Sequence, residues 1–265
     1  MNVMSYSLYW SPFSRYEDPR AGAWTGFRFY PSFLPTLVRA HHIVFPDYEL
    51  RIHHDGCVET CYYGRALVEL SNRGLVKLRY VGKAATLCGP MLWRLLPVWD
   101  QEVEHVFCRD VDALPMPRER IAVDEFTDPW MFLLAHALYD HPQHGHGLCG
   151  GMIGFDAPKL RALTGLRSLG ALLALSPEID LDVPGADQDL LNAHLLPMVE
   201  HELLRDGEIP VRGGKVGLDA LAPCIGLGYA RAPVVEFCRG KGRTDEIEAV
   251  EELTGTPPLI EQAAP

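Results

Sequence analysis

Two aspartates, Asp110 and Asp112, follow a short apolar run, Val106 to Cys108, in the sequence His-Val-Phe-Cys-Arg-Asp-Val-Asp. The apolar run is typical of the end of a buried strand, and Pro115 shortly afterwards indicates that the strand stops there. Open α/β sheets bind ligands at the carboxyl edge, where these two carboxylates would lie. Their hard oxygens suit Mg²⁺ or Mn²⁺, which in turn hold phosphates. The stretch therefore predicts a divalent metal site for a nucleotide diphosphate.

The composition is that of a soluble globular protein, with 48% hydrophobic and 22% charged residues in a chain of 265. A net charge of -11 argues against nonspecific nucleic-acid binding, without excluding a local basic patch. The seven cysteines form no repeated pair, which is typical of reduced thiols in a cytosolic protein. There is no signal peptide pattern and no apolar run of about 18 residues, so we expect a cytoplasmic protein without a membrane span.

The elements around the two aspartates alternate between strand and helix patterns, as in an α/β sheet protein. A loop is expected over Ser11–Gly26, and no linker or internal repeat appears. We therefore expect one domain over residues 1–265, with residues 206–265 as a loop-rich extension. The predicted strands are Met4–Trp10, Tyr48–His54, Leu75–Val81, Asp100–Asp110 and part of Trp130–Tyr139, and the predicted helices are Pro31–Val44, Cys57–Asn72, Leu87–Val98, Arg118–Thr127, Lys159–Leu175 and Asp187–Leu203.

Further polar residues have two interpretations each. Arg94 is the one charge of an apolar segment, and it either pairs with an acid or faces a phosphate. Three histidines between Asp140 and Gly147 form either a solvated turn or a metal-binding group. These alternatives stay open on the sequence alone.

Glycines and acids later in the chain are equally ambiguous. Gly150 and Gly151 precede a strand pattern, where they allow a ligand to approach the backbone or form a plain turn. Asp187 and Asp189 open a helix, where they stabilise the helix dipole or take part in catalysis.

These features occur in a definite order along the chain. The set resembles the GT-A-fold, metal-dependent glycosyltransferases, specifically bacterial and phage enzymes of the lipopolysaccharide-glycosyltransferase type, over roughly Ser5 to Arg205. The resemblance implies an α/β fold with a mostly parallel mixed sheet flanked by helices, and a nucleotide-sugar bound with Mn²⁺ or Mg²⁺. The motifs that carry it are Trp93-Arg94-Leu95-Leu96-Pro97, Arg109-Asp110-Val111-Asp112, Arg118-Glu119-Arg120-Ile121-Ala122-Val123, Asp140-His141-Pro142-Gln143-His144 with Gly150-Gly151-Met152-Ile153-Gly154, and Asp187-Gln188-Asp189-Leu190-Leu191.

The resemblance also implies roles for individual residues. Those expected at the donor are Asp110 and Asp112 as metal ligands, Ser7, Leu8 and Tyr9 near the base, Arg94 and Arg109 positioning the donor or the acids, and Gly150 and Gly151 beside the donor sugar. Those expected at the reacting centre are Asp140, His141 and His144 near the sugar or acceptor, and Asp187 and Asp189 beside the anomeric carbon. One departure is that no histidine follows His201 to serve as a C-terminal metal ligand.

The chemistry agrees with glycosyl transfer from a nucleotide-sugar to a hydroxyl of a saccharide, a lipid-linked sugar or a modified DNA base. A UDP-sugar is the first candidate for the donor. A metal neutralises the leaving diphosphate. In an inverting enzyme Asp187, Asp189 or Asp140 would remove the acceptor proton, whereas in a retaining enzyme the same acids would stabilise the sugar cation. The alternatives are a metal-dependent nucleotidyltransferase or phosphohydrolase, and a noncatalytic nucleotide-sugar-binding protein.

Overall fold

The computed structural model describes residues 1–9, 25–59, 62–111, 113–139 and 147–206, with side chains of the first two helices described from Leu34 and Gly64 onward. Within these ranges seven strands form one sheet in the order β3-β2-β1-β4-β6-β5-β7. Only β6 runs antiparallel to its neighbours, so the expected mostly parallel mixed sheet is confirmed. The strands are β1 (Asn2–Leu8), β2 (Glu49–His54), β3 (Lys77–Tyr80), β4 (His105–Arg109), β5 (Ala135–Leu138), β6 (Met152–Asp156) and β7 (Leu203–Asp206).

Both faces of the sheet carry apolar residues, because successive residues of a strand point to opposite faces. Helices cover both of these faces. In β1, Met4, Tyr6 and Leu8 enter one apolar core, while Val3 enters the other. The core around Met4 is completed by α1 (Thr25–Val44), α2 (Tyr62–Asn72) and α3 (Pro117–Thr127). The core around Val3 is completed by a 3₁₀ helix, Gly89–Trp99, and by α4 (Ala157–Thr164), α5 (Leu169–Leu173), α6 (Ala186–His194) and α7 (Leu196–Val199). Two shorter 3₁₀ helices span Cys57–Glu59 and Glu200–Glu202.

The order of the strands reverses between β1 and β4. The chain goes from β1 to β2 and β3 on one side, and then returns to place β4 on the other side of β1. A crevice opens at such a switch point, beyond the carboxyl ends of the two strands. Tyr9 follows β1 there and Asp110 follows β4. Because β6 is antiparallel, with Met152 opposite Arg109, its beginning lies at the same edge and brings in the preceding loop.

Several predicted helices have different bounds in the structure, and two of them have a clear local cause. α1 begins at Thr25, inside the predicted loop Ser11–Gly26 and before the expected start at Pro31. Burial of an apolar stripe that includes Leu34 and Leu37 outweighs the cost of the internal prolines. The predicted helix Lys159–Leu175 is two helices, because Gly165 adopts a φ of 66° and caps α4.

The prediction of a helix over Asp187–Leu203 was wrong in its second half. α6 ends at His194, and Pro197 then stands in the first turn of a short separate helix. Leu203 begins β7, which pairs with β5 in parallel. Residues 207–265, expected to be a loop-rich extension, lie outside the described residues. Among the described helices, none is both long and apolar enough to cross a membrane.

Candidate functional site

An arginine between two aspartates forms the centre of the site at the β1–β4 crevice. The Arg94 guanidinium, on the 3₁₀ helix, pairs through Nη1 with Oδ1 of Asp110. Its Nη2 lies 3.1 Å from Oδ2 of Asp187, at the start of α6. The side chains of Arg94 and Asp187 are 6% and 3% exposed, whereas Asp110 is 47% exposed. Asp110 is therefore the member of this cluster that faces solvent.

The main chain of Arg94 is held by both central strands. Its N–H donates to Oγ of Ser7 at 3.0 Å, and its carbonyl accepts from Sγ of Cys108 at 3.3 Å. The Ser7 hydroxyl also donates to the carbonyl of Met91 at 3.4 Å. Ser7 thus anchors the 3₁₀ helix to β1. The hydroxyl of Ser7, a residue predicted to lie near the nucleotide base, is thus engaged with the protein.

The glycine pair before β6 allows the backbone to lie against the charged cluster. A Cβ at Gly151 would lie 2.0 Å from Oδ2 of Asp110, and one at Gly150 would lie 2.5 Å from Nη2 of Arg94. Any side chain at either position would displace these groups. In the structure the glycines approach Arg94 and Asp110, and the approach to a donor sugar stays a prediction.

Asn192, which the sequence pattern did not single out, fastens the glycine loop to α6. Its Oδ1 accepts from the N–H of Leu148 at 2.6 Å, and its Nδ2 donates to the Leu148 carbonyl at 3.2 Å. Gly147 has no room for a Cβ, which would lie 2.1 Å from the same Oδ1. The available signal was an asparagine inside a Leu-rich helix, since asparagine is a poor helix former and tends to bond to nearby backbone.

The electrostatics of the cluster are set by burial and by the sharing of one cation. Burial raises the pKa of Asp187, Arg94 opposes this, and Asp110 adds to the rise, leaving the pKa above its usual value. Burial lowers the pKa of Arg94, but its two carboxylate partners outweigh that effect and raise it. Two anions around one cation leave the cluster net negative. Such a cluster favours a cation at its solvent-facing member, Asp110.

Tyr9 lines the crevice beside the 3₁₀ helix. Its ring lies 6.2 Å from that of Trp93 at an interplanar angle of 70°, an edge-to-face contact. Burial, above all, raises the pKa of the Tyr9 phenol, with Arg94 opposing. Tyr9 therefore stays a neutral hydrogen-bonding group next to an aromatic wall.

Three predicted site residues lie away from Arg94. Leu8 is buried in the core on the other face of the sheet. Arg109 also points to that face, where its Nε lies 2.5 Å from Oε1 of Glu119 on α3 and its Nη1 donates to the Ile153 carbonyl at 2.9 Å. Asp189 is exposed on α6. Alternation along the strands explains the first two positions.

Four predicted residues, Asp112, Asp140, His141 and His144, lie outside the described residues. The fit of a divalent ion can be judged at Asp110, whose half-exposed carboxylate offers the hard oxygens that Mg²⁺ and Mn²⁺ prefer. No group of three His, Cys, Asp or Glu side chains able to hold a metal occurs in the described part of the chain. That part therefore supplies one suitable donor, Asp110, and not a complete set.

No family model matches the chain, and no curated protein matches it. Among solved structures it is similar to the mannosyltransferase PcManGT from Pyrobaculum calidifontis in complex with GDP-Man and Mn²⁺. The identity is 14% and the TM-score 0.44, over 80% of this chain and 57% of that one.

The chain is also similar to the glycosyltransferase GlyE of Streptococcus pneumoniae, at 12% identity and a TM-score of 0.45, over 77% of this chain and 44% of that one. A third similar structure is an active-site mutant of LgtC, at 12% identity and a TM-score of 0.45, over 78% and 72% of the two chains. The chain spans about half the length of the first two structures. The first is described as a mannosyltransferase and the second as a glycosyltransferase.

Proposed function

We propose that the protein is a metal-assisted glycosyltransferase that moves a sugar from a nucleotide-diphosphate sugar to a hydroxyl acceptor. The observation that carries the proposal is the placement of Arg94 between Asp110 and Asp187 at the switch point of the sheet. A solvent-facing carboxylate, a buried cation and a buried carboxylate lie together in that crevice. Glycosyl transfer can use the first to hold a metal on the diphosphate, the second to offset negative charge, and the third at the reacting centre.

The donor half of the proposal rests on Asp110 and Arg94. Asp110, together with Asp112, would hold Mn²⁺ or Mg²⁺, and the bound ion neutralises the leaving diphosphate. Arg94 is fixed through its main chain, so its charge is pre-positioned. Tyr9 and Trp93 would form the wall for the nucleotide base, while Gly150 and Gly151 would bring backbone close to the donor sugar. We propose a UDP-sugar as the donor and a hexosyl group as the transferred sugar.

The acceptor half rests on Asp187. In an inverting reaction its carboxylate would take the proton of the acceptor hydroxyl, and a raised pKa favours that role. In a retaining reaction the same carboxylate would stabilise the developing cation at the anomeric carbon. Asp140, His141 and His144 are proposed to contact the sugar or acceptor, and Asp189 is the second carboxylate proposed for the reacting centre.

The cellular site proposed is the cytoplasm. The four cysteines among the described residues, Cys57, Cys88, Cys108 and Cys149, are all free thiols, which is typical of a reducing compartment.

The test measures UDP binding by calorimetry with and without Mn²⁺, and donor hydrolysis across a panel of nucleotide-sugars. We expect Mn²⁺ to strengthen UDP binding and Asp110→Asn to abolish that gain, because a neutral amide is a much poorer ligand for a hard cation. Glu178→Gln, an exposed residue in the turn after α5, removes one charge elsewhere and serves as the matched control. Unchanged binding and hydrolysis in Asp110→Asn would reject the proposal.

Two outcomes would favour the alternatives. Release of phosphate from simple phosphate esters would indicate a phosphohydrolase. Tight nucleotide-sugar binding without turnover over long incubation would indicate a binding protein.

A further inference from the structure

A buried ion pair lies behind the candidate site, on the opposite face of the sheet. Arg109, the last residue of β4, is 1% exposed, and Glu119, in the first turn of α3, is 2% exposed. The Nε atom of Arg109 lies 2.5 Å from Oε1 of Glu119. Neither side chain belongs to the cluster around Arg94, so the chemistry of the proposed function leaves both of these charges without a role.

Arg109 connects the two backbone segments that meet at Asp110. Its Nη1 donates to the carbonyl of Cys108 at 2.8 Å and to the carbonyl of Ile153, on β6, at 2.9 Å. Asp110 follows Arg109 directly, and Gly151 stands two residues before Ile153. A Cβ at Gly151 would lie only 2.0 Å from Oδ2 of Asp110, so even a small shift of β6 along β4 would alter this contact.

A small apolar cluster joins α3 to the same two segments. Its members are Ala113, Ala122, Leu138 and Met152, with Cys149 packed against them. The N–H of Ala113 donates to the carbonyl of Asp110 at 3.0 Å, and the N–H of Met152 donates to the carbonyl of Cys149 at 2.8 Å. The ion pair and the apolar cluster therefore hold α3 against the turn after Asp110 and against the turn that contains the glycine pair.

Stability alone is a poor explanation for the ion pair. Two charges lose their hydration on burial, and replacing such a pair with apolar side chains is often neutral or stabilising. The Nη2 atom of Arg109 is also buried without a hydrogen-bond partner among the described residues, which adds to the cost. A planar guanidinium differs from an apolar side chain in that its bonds have fixed directions. What the pair contributes is therefore a defined geometry of the backbone around it.

We propose that Arg109 and Glu119 are positioning residues, which hold the carboxylate of Asp110 and the glycine pair at the spacing that the donor's metal ion requires. They touch neither the donor nor the metal ion, and they act through the backbone of β4 and β6. The metal ion rests on the proposed function, whereas the hold on the backbone does not. Groups that orient metal ligands in this way typically contribute about 10–100-fold to metal affinity.

The experiment compares the full chain with a double variant, Arg109→Met with Glu119→Leu, which removes both charges and so strands neither of them. The first measurement is hydrogen exchange at the amides of Ala113 and Met152, without donor or metal, and we expect it to become about tenfold faster or more. The second is the strengthening of UDP binding by Mn²⁺ in calorimetry, which we expect to fall about tenfold or more. A second variant, Arg109→Lys, keeps the charge but lacks the planar fork, and it should change both measurements in the same direction.

Phe126→Leu is the matched control, because it weakens the packing of the same helix without touching the ion pair. Phe126 is 2% exposed, lies about two turns beyond Glu119 and stacks on His136 at 5.5 Å. Any faster exchange that comes from lower overall stability will also occur in this variant. We expect it to speed exchange at the two amides less than the double variant does, and to leave the effect of Mn²⁺ on UDP binding unchanged.

Three results separate this proposal from the proposed function. Unchanged exchange in both variants of the pair, or an equal increase in Phe126→Leu, would overturn the positioning role and leave the glycosyltransferase proposal standing. Full strengthening of UDP binding by Mn²⁺ in the double variant would also overturn the positioning role. Faster exchange in the variants of the pair, with no effect of Mn²⁺ on UDP binding in the unchanged chain, would reject the metal-assisted function but support the hold on the backbone.

Discussion

Replacing Arg94 with methionine tests the charge balance of the site. The substitution keeps an unbranched side chain of similar reach but removes the guanidinium that pairs with Asp110 and Asp187. Asp110 is 47% exposed, so solvent replaces its partner at a cost of about 0–1 kcal/mol. Asp187 is 3% exposed, and a buried charge that loses its partner costs about 3–5 kcal/mol. We therefore expect a loss of about 3–5 kcal/mol in unfolding free energy at pH 7.

The pH dependence separates this cause from lost packing. The pKa of Asp187 is already raised in the folded protein, so the stability it contributes is complete below the unfolded value of about 3.9 and is lost as the pH rises through the folded value. Arg94 lowers the pKa of Asp187, so the removal of Arg94 raises that pKa further. The deficit of Arg94→Met relative to the unchanged protein is then largest at neutral pH and shrinks as the pH approaches about 4.

The assay is urea unfolding followed by tryptophan fluorescence, at pH 7 and at about pH 4.5. The matched control is Arg94→Met combined with Asp187→Asn, which removes the stranded charge and recovers most of the loss. Two results would refute this reasoning. One is an unfolding free energy of the single variant within about 1 kcal/mol of that of the unchanged protein at pH 7, and the other is a double variant less stable than the single one.

The other predictions concern the glycine loop and a buried histidine. Gly151→Ala places a Cβ 2.0 Å from Oδ2 of Asp110, so we expect UDP affinity with Mn²⁺ to fall more than about tenfold in calorimetry. Asn192→Asp keeps the acceptor for the Leu148 N–H but removes the donor to its carbonyl, so urea unfolding should show a loss of about 1–3 kcal/mol. Burial, with Arg51 and Arg79 nearby, lowers the pKa of His53 to about 3. The stability that the neutral His53 contributes is therefore complete above about pH 6.5 and is lost as the pH falls. His53→Phe should reduce the loss of unfolding free energy between pH 7 and pH 5 by about 2 kcal/mol.

Matched controls for these variants lie elsewhere in the chain. Gly170→Ala introduces a Cβ with nothing nearer than 3.7 Å and should leave UDP binding unchanged. Asn72→Asp, at the exposed end of α2, makes the same chemical change as Asn192→Asp and should not lower the unfolding free energy by a comparable amount. His201→Phe removes an exposed histidine and should not change the pH profile. An effect in a control as large as in its partner would contradict the stated cause.

The sequence pattern predicted the strand end before Asp110, but it did not predict which face of the sheet each residue occupies. The apolar run before Asp110 predicted its place at a strand end, because burial and turn signals are both local. Arg94 and Arg109 were equivalent candidates, and only tertiary packing separates them. Arg109 lies on the face covered by α3, where Glu119 neutralises it, while the 3₁₀ helix carries Arg94 to the crevice.

The later elements were harder to predict for the same reason. Leu203 and Leu204 continue an apolar pattern that suits a helix as well as a strand, and the partner strand β5 decides between them. Asn192 carries no motif of its own, since its role consists of two bonds to Leu148, far away along the chain.

The bond between Arg94 and Asp187 joins residues 93 positions apart, and this separation has a consequence for when the candidate site can form. Contacts between distant segments form late in folding, because a long loop must close before they contribute. In a growing chain β1, β2 and β4, together with Arg94 and Asp110, are all synthesised before α6. The buried carboxylate and the asparagine that fastens the glycine loop both arrive with α6. The complete cluster can therefore form only after the chain has been synthesised through α6, and a chain cut before α6 would lack both Asp187 and Asn192.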